Sequence, residues 1–163
     1  MSKPEVSSRK SDAARVDYTA LEQEIRRELA PIADGKAAMA RAVEILKARV
    51  PDYTWVGIYL CFSNELVLGP FQGKPSPHTR IPVGRGICGA AAAEKATIIV
   101  DDVGADPRYL ACSVETKSEI VVPIMRNGDV LGEIDIDSDR RAAFGPDDQR
   151  LLERVAALLA EKI

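Results

Sequence analysis

Between residues 17 and 29 the chain places Tyr18, Leu21, Ile25 and Leu29 at spacings of three and four. This pattern predicts an amphipathic helix, and Pro31 ends it. A second helix follows over residues 35–49, with Met39, Val43 and Leu46 on one face and Pro51 closing it. The period then changes. Residues 53–62, "YTWVGIYLCF", and 65–73, "ELVLGPFQG", are rich in aromatic and β-branched side chains, and the polar pair Ser63-Asn64 between them reads as a hairpin turn. After a loop, the alanine run in "GRGICGAAAAEKA" (84–96) favours a helix, and glycines near its start allow close backbone packing. "TIIVDD" reads as a short strand and "VGADPRYLACSVETK" as a long loop. The segments "SEIVVPIMR" and "DVLGEIDIDS" flank Asn127-Gly128, a strong hairpin signal. In the last helix, Pro146 occupies the first turn, and Leu151, Leu152, Val155, Leu158 and Leu159 supply the apolar face.

Two helices, a hairpin, a helix, a strand, a loop, a hairpin and a final helix imply an α+β fold. It is expected to have an antiparallel sheet with helices on one side and a loop-covered pocket on the other. Residues 1–16 are polar and aperiodic and are expected to form a disordered tail, leaving one domain over residues 17–163. Composition narrows the function. With 46% hydrophobic residues, 29% charged residues and a net charge of −3, the chain suits a soluble domain and lacks the basic excess of a nucleic-acid binder. No apolar run is long enough to span a bilayer and the N-terminus lacks a signal peptide's apolar core, so a cytoplasmic protein without membrane contact is expected. The three cysteines, Cys61, Cys88 and Cys112, are too few and too scattered for a disulfide framework. With a single histidine, His78, no metal or other cofactor is expected.

Several residues have the chemistry of a site. In a strand over 132–138, Asp135 and Asp137 share one face while Ile134 and Ile136 take the other, and the neighbouring strand begins with Glu119. The three acids are either solvated or form a cup for an ammonium group. Trp55 and Tyr59 fall on one face with Gly57 leaving room between them. The pair serves either as half-buried core or as the wall of a small cavity. Cys88 stands near a helix start, where a thiolate is favoured, and Cys112 ends a polar loop. Each is either a nucleophile or a small buried hydrophobe. His78, in a polar loop beside Pro77, reads as exposed.

The element order, with "VDDVGADPRYL", "SEIVVPI", "NGDVLGEIDIDS" and "FGPDDQRLLERVA", resembles the GAF domain over about residues 30–163. "YTWVGIYL", "LVLGPFQGK", "IPVGRGICGAAA", "ACSVETKSEIVVPI" and "IDIDS" more narrowly resemble the free methionine-(R)-sulfoxide reductases. That resemblance implies reduction of free methionine-(R)-sulfoxide with Cys112 as nucleophile and Cys88 as a second thiol. It further implies that Glu119, Asp135 and Asp137 hold the substrate amino group and that Trp55 and Tyr59 lie near the sulfoxide methyl. The family's resolving cysteine is missing, because "GKPSPHTRIP" has Pro77 or His78 in its place. The resemblance therefore leaves a non-catalytic, small-molecule-binding GAF sensor as the alternative. As an enzyme, the protein is expected to use a thioredoxin-type or low-molecular-weight thiol and to pair as a homodimer through its terminal helices.

Overall fold

The computed structural model describes residues 15–111 and 113–163, so most of the expected tail lies outside the described residues, as does Cys112. Helices α1 (Tyr18–Leu29) and α2 (Gly35–Arg49) start where Asp17 and Asp34 accept the amides of Ala20 and Ala37 at 3.0 and 2.8 Å. An aspartate at that position satisfies one of the amides that a helix start leaves without an intrahelical acceptor. Strands β1 (Trp55–Phe62) and β2 (Glu65–Gln72) form the first hairpin. Both residues of its turn, Ser63 and Asn64, have positive φ, as do Asn127 and Gly128 in the second hairpin. This is the primed turn geometry whose twist matches the flanking strands.

The remaining elements are β3 (Arg80–Pro82), α3 (Gly86–Glu94), β4 (Ile98–Val100), a 3₁₀ turn at Val103–Ala105, β5 (Ser118–Arg126), β6 (Asp129–Ser138) and α4 (Pro146–Ala160). The strands form one sheet in the order β3-β2-β1-β6-β5-β4, with antiparallel neighbours throughout. Strand β3 is the element the sequence pattern did not predict. Three residues are too few to show alternation, and only Ile81 is buried.

Alternation along the central strands gives the sheet two different faces. Val56, Ile58, Ile120, Val122, Ile134 and Ile136 point into a core with the apolar stripes of α1, α2 and α4. Trp55, Tyr59 and Val121 point the other way, into a smaller cluster with Ile87, Cys88, Ala91 and Ala92 of α3. The expected layer of helices on one side thus consists of α1, α2 and α4, whereas α3 lies on the loop side. Its small alanines let it pack closely against β5 and β6 there. Among the described residues no helix is long and apolar enough to cross a membrane.

Candidate functional site

The loop side of β1, β5 and β6 carries the acids. Asp137 pairs in register with Trp55 on one side and Glu119 on the other, and Asp135 pairs with Gly57 and Val121. Their relative exposures are 5% for Glu119, 3% for Asp135 and 4% for Asp137, which decides against the solvated reading. A fourth acid, Glu133, is 0% exposed on the same face. It was legible in "GEIDIDS", since the alternation of Asp137 and Asp135 extends one step further to Glu133.

Buried carboxylates demand partners, and Glu133, Asp135 and Asp137 largely lack them. Both oxygens of Glu133 and one oxygen each of Asp135 and Asp137 have no hydrogen-bond partner, and no lysine or arginine among the described residues forms a salt bridge to any of the three. Burial pushes all three carboxyls above the ordinary range. The charge of Asp135 adds to this at Glu133 and Asp137, while hydrogen bonding with Glu119 and Cys88 opposes it at Asp135 and the Cys88 thiol opposes it at Glu133.

Cys88, the third residue of α3, roofs the same acids. Its sulfur lies 3.8 Å from Glu119 Oε1, and the nearest donor atoms of Cys88, Glu119 and Asp135 fall within 4.8 Å of one another. Burial and then the negative charges of Asp135, Glu133 and Glu119 push this thiol well above its ordinary range. The helix-start position was expected to lower it, but loss of water and three nearby acids outweigh the partial charge of a nine-residue helix. Cys61, half-buried at the end of β1, is also shifted upward by burial.

Trp55 and Tyr59 both lie on this face, but the space over Gly57 is not empty. A Cβ at Gly57 would come within 2.2 Å of the indole ring of Trp55, which stacks on Phe71 with ring centres 5.8 Å apart. Trp55 Nε1 donates to the carbonyl of Lys74 at 2.9 Å, and the Tyr59 hydroxyl donates to the carbonyl of His78 at 2.8 Å. The two aromatics thereby pin the 73–79 loop over the acids.

Two hollows result. One, of about 160 Å³, is bounded by Trp55, Asp137, Lys74, Ser113 and Thr116. The other lies among Tyr59, His78, Cys88, Leu110, Glu119 and Asp135 and has room for about 10 Å³, no more than one water. His78 is therefore a site residue that sequence reasoning took for an exposed one. The structure brings Cys88, Trp55, Tyr59, Glu119, Asp135 and Asp137 to one face of the sheet. Ala111 and Ser113, which bracket Cys112 in the chain, lie beside that face.

A buried acidic floor, an aromatic wall and a thiol under pinned loops suit a small cationic ligand. The family model of the GAF domain matches residues 23–163. The chain belongs to the GAF-domain family. Among GAF-domain relatives, it is 44% identical over 124 residues to GAF domain-containing protein A of Dictyostelium discoideum, covering 76% of this chain and 77% of that protein. It is 39% identical over 127 residues to the free methionine-R-sulfoxide reductase of Escherichia coli, covering 78% and 76%. The GAF fold also superposes, at a TM-score of 0.85 and 40% identity, on the free methionine-R-sulfoxide reductase of Neisseria meningitidis in complex with its substrate, covering 89% of this chain and 87% of that one.

Proposed function

We propose that this GAF-domain protein reduces free methionine-(R)-sulfoxide to methionine. The observation that carries the reading is that the buried carboxylates of Glu133, Asp135 and Asp137 have no salt bridge to a basic side chain among the described residues. Taking several acids out of water is tolerable if a cation completes the site, and an amino acid's ammonium group is such a cation. Methionine sulfoxide inside a peptide has no ammonium at that position, so the acids select the free amino acid. The similarity to reductases of this name in Escherichia coli and Neisseria meningitidis supports the same substrate.

In this reading Glu119, Asp135 and Asp137 hold the ammonium, and Trp55 and Tyr59 flank the methyl. The Cys112 thiolate attacks the sulfoxide sulfur. A carboxyl of the acidic floor, whose pKa burial raises, delivers a proton to the oxygen. The oxygen passes to Cys112 as methionine leaves, so the sulfoxide is reduced and Cys112 becomes a sulfenic acid. A second thiol then condenses with it, forming a disulfide and releasing water, and a dithiol or two further thiols reduce that disulfide through a mixed disulfide, becoming a disulfide themselves. Cys88 is the candidate within the chain, and a thioredoxin-type or low-molecular-weight thiol is the external one. The protein acts in the cytoplasm as one domain over residues 17–163, paired through its terminal helices as a homodimer.

A thioredoxin-coupled assay following NADPH oxidation with free methionine-(R)-sulfoxide tests the proposal. Turnover that disappears in Cys112→Ser supports it. Absence of turnover with retained methionine binding would overturn it in favour of a sensor.

A further inference from the structure

The 73–79 loop meets the segment on either side of Cys112 at two points. The Lys74 ammonium lies 2.6 Å from Glu115 Oε1, an exposed ion pair of small worth. His78 Nε2 lies 3.1 Å from the carbonyl oxygen of Ala111. A carbonyl can only accept, so Nε2 carries the proton, and the bond forms with either the neutral Nε2–H tautomer or the imidazolium. The backbone of His78 is itself held. Its backbone amide donates to Ser76 Oγ at 3.1 Å and its carbonyl accepts the Tyr59 hydroxyl. Leu110, next to the acceptor, lies against Gly86 at the start of α3 and shares the smaller hollow with Cys88, Glu119 and Asp135.

We infer that His78 is a positioning residue: its Nε2–H bond to Ala111 fixes the Leu110–Ala111 backbone across the mouth of the acid-lined hollow. The inference rests on the reading of that hollow as a substrate site. With the bond made, the space beneath holds about 10 Å³, too little for an amino acid, so ligand reaches Glu119 and Asp135 only as this backbone yields.

The test uses the full chain with His78→Phe, which keeps a ring without a donor, and His78→Gln, whose amide N–H reaches about as far as Nε2. Alkylation of Cys88 by iodoacetamide, followed by peptide mass, reads the opening, while kcat and KM for free methionine-(R)-sulfoxide read the positioning. In His78→Phe, Cys88 is expected to react about fivefold faster, the worth of one net hydrogen bond, and kcat to fall more than KM changes. In His78→Gln both are expected to return to within about twofold of the unaltered protein. An unchanged Cys88 rate in His78→Phe, or a rate in His78→Gln as fast as in His78→Phe, overturns the inference. Circular dichroism checks the fold, and His78→Ala carries the comparison if the phenyl ring disturbs it. Alkylation does not require turnover, so a protein that shows the rate pattern without reducing the sulfoxide would overturn the proposed function and leave the role of His78 standing.

Discussion

Single carboxylates at this site make opposite contributions to binding and to stability. Asp135 is buried with one oxygen unpartnered, so Asp135→Asn is expected to weaken binding of free methionine by about 30-fold or more by calorimetry, as loss of one member of a buried charge pair does. Glu133, with no exposure and two unpartnered oxygens, is a cost to the fold. Its carboxyl pKa is raised in the folded protein, so the folded state holds its proton more tightly than the unfolded chain does. Stability from this group is full below the ordinary carboxylate pKa of about 4 and declines as pH rises from there toward the raised value. Glu133→Gln is therefore expected to raise the melting midpoint at neutral pH by about 3 °C and to flatten its fall between pH 4 and 7, as followed by circular dichroism. Residues of this kind are legible where alternation declares them, as for Asp135 and Asp137. His78 was not, because its partner lies 33 residues away and no local pattern marks a contact of that range.

Among the elements, α4 depends on one side chain. Asp148 Oδ2 accepts the Gly145 amide at 2.9 Å, while Oδ1 accepts the hydroxyls of Tyr18 and Tyr53 at 2.9 and 2.6 Å. Asp148→Ala removes a helix cap and leaves buried Tyr53 without its acceptor, so a loss of about 3 kcal/mol in urea unfolding is expected. In β1, Gly57→Ala forces the Trp55 indole from its place over the strand and breaks its bond to Lys74. Trp55 is the chain's one tryptophan, so a shift in fluorescence emission together with weakened methionine binding is the expected readout. Both hairpins could be read from their turns, since Ser63-Asn64 and Asn127-Gly128 adopt positive φ. The side of the sheet taken by α3 could not. Its composition is nearly uniform in small apolar residues, so it has no polar face to say which way it turns.

At the scale of the whole molecule, the α+β order was legible because each change of hydrophobic period marks a change of element, and the sheet follows from two tight hairpins. A loop-covered pocket was legible too, but its division into two hollows was not, because loops whose ties span the chain make it: Trp55 to Lys74, Tyr59 to His78, and His78 to Ala111. The acids that link them give the molecule a chemical preference testable by melting. Free methionine is expected to raise the midpoint by several degrees at concentrations well above its Kd, and N-acetylmethionine, which has no ammonium, to leave it unchanged.

Burial, and then the carboxylates around it, hold the sulfur of Cys88 in its protonated, unreactive form. An arriving amino acid brings a positive charge into that neighbourhood and lowers the work of ionising the thiol. In the proposed reaction Cys88 is therefore expected to resist stray peroxide until substrate arrives and to exchange readily afterwards.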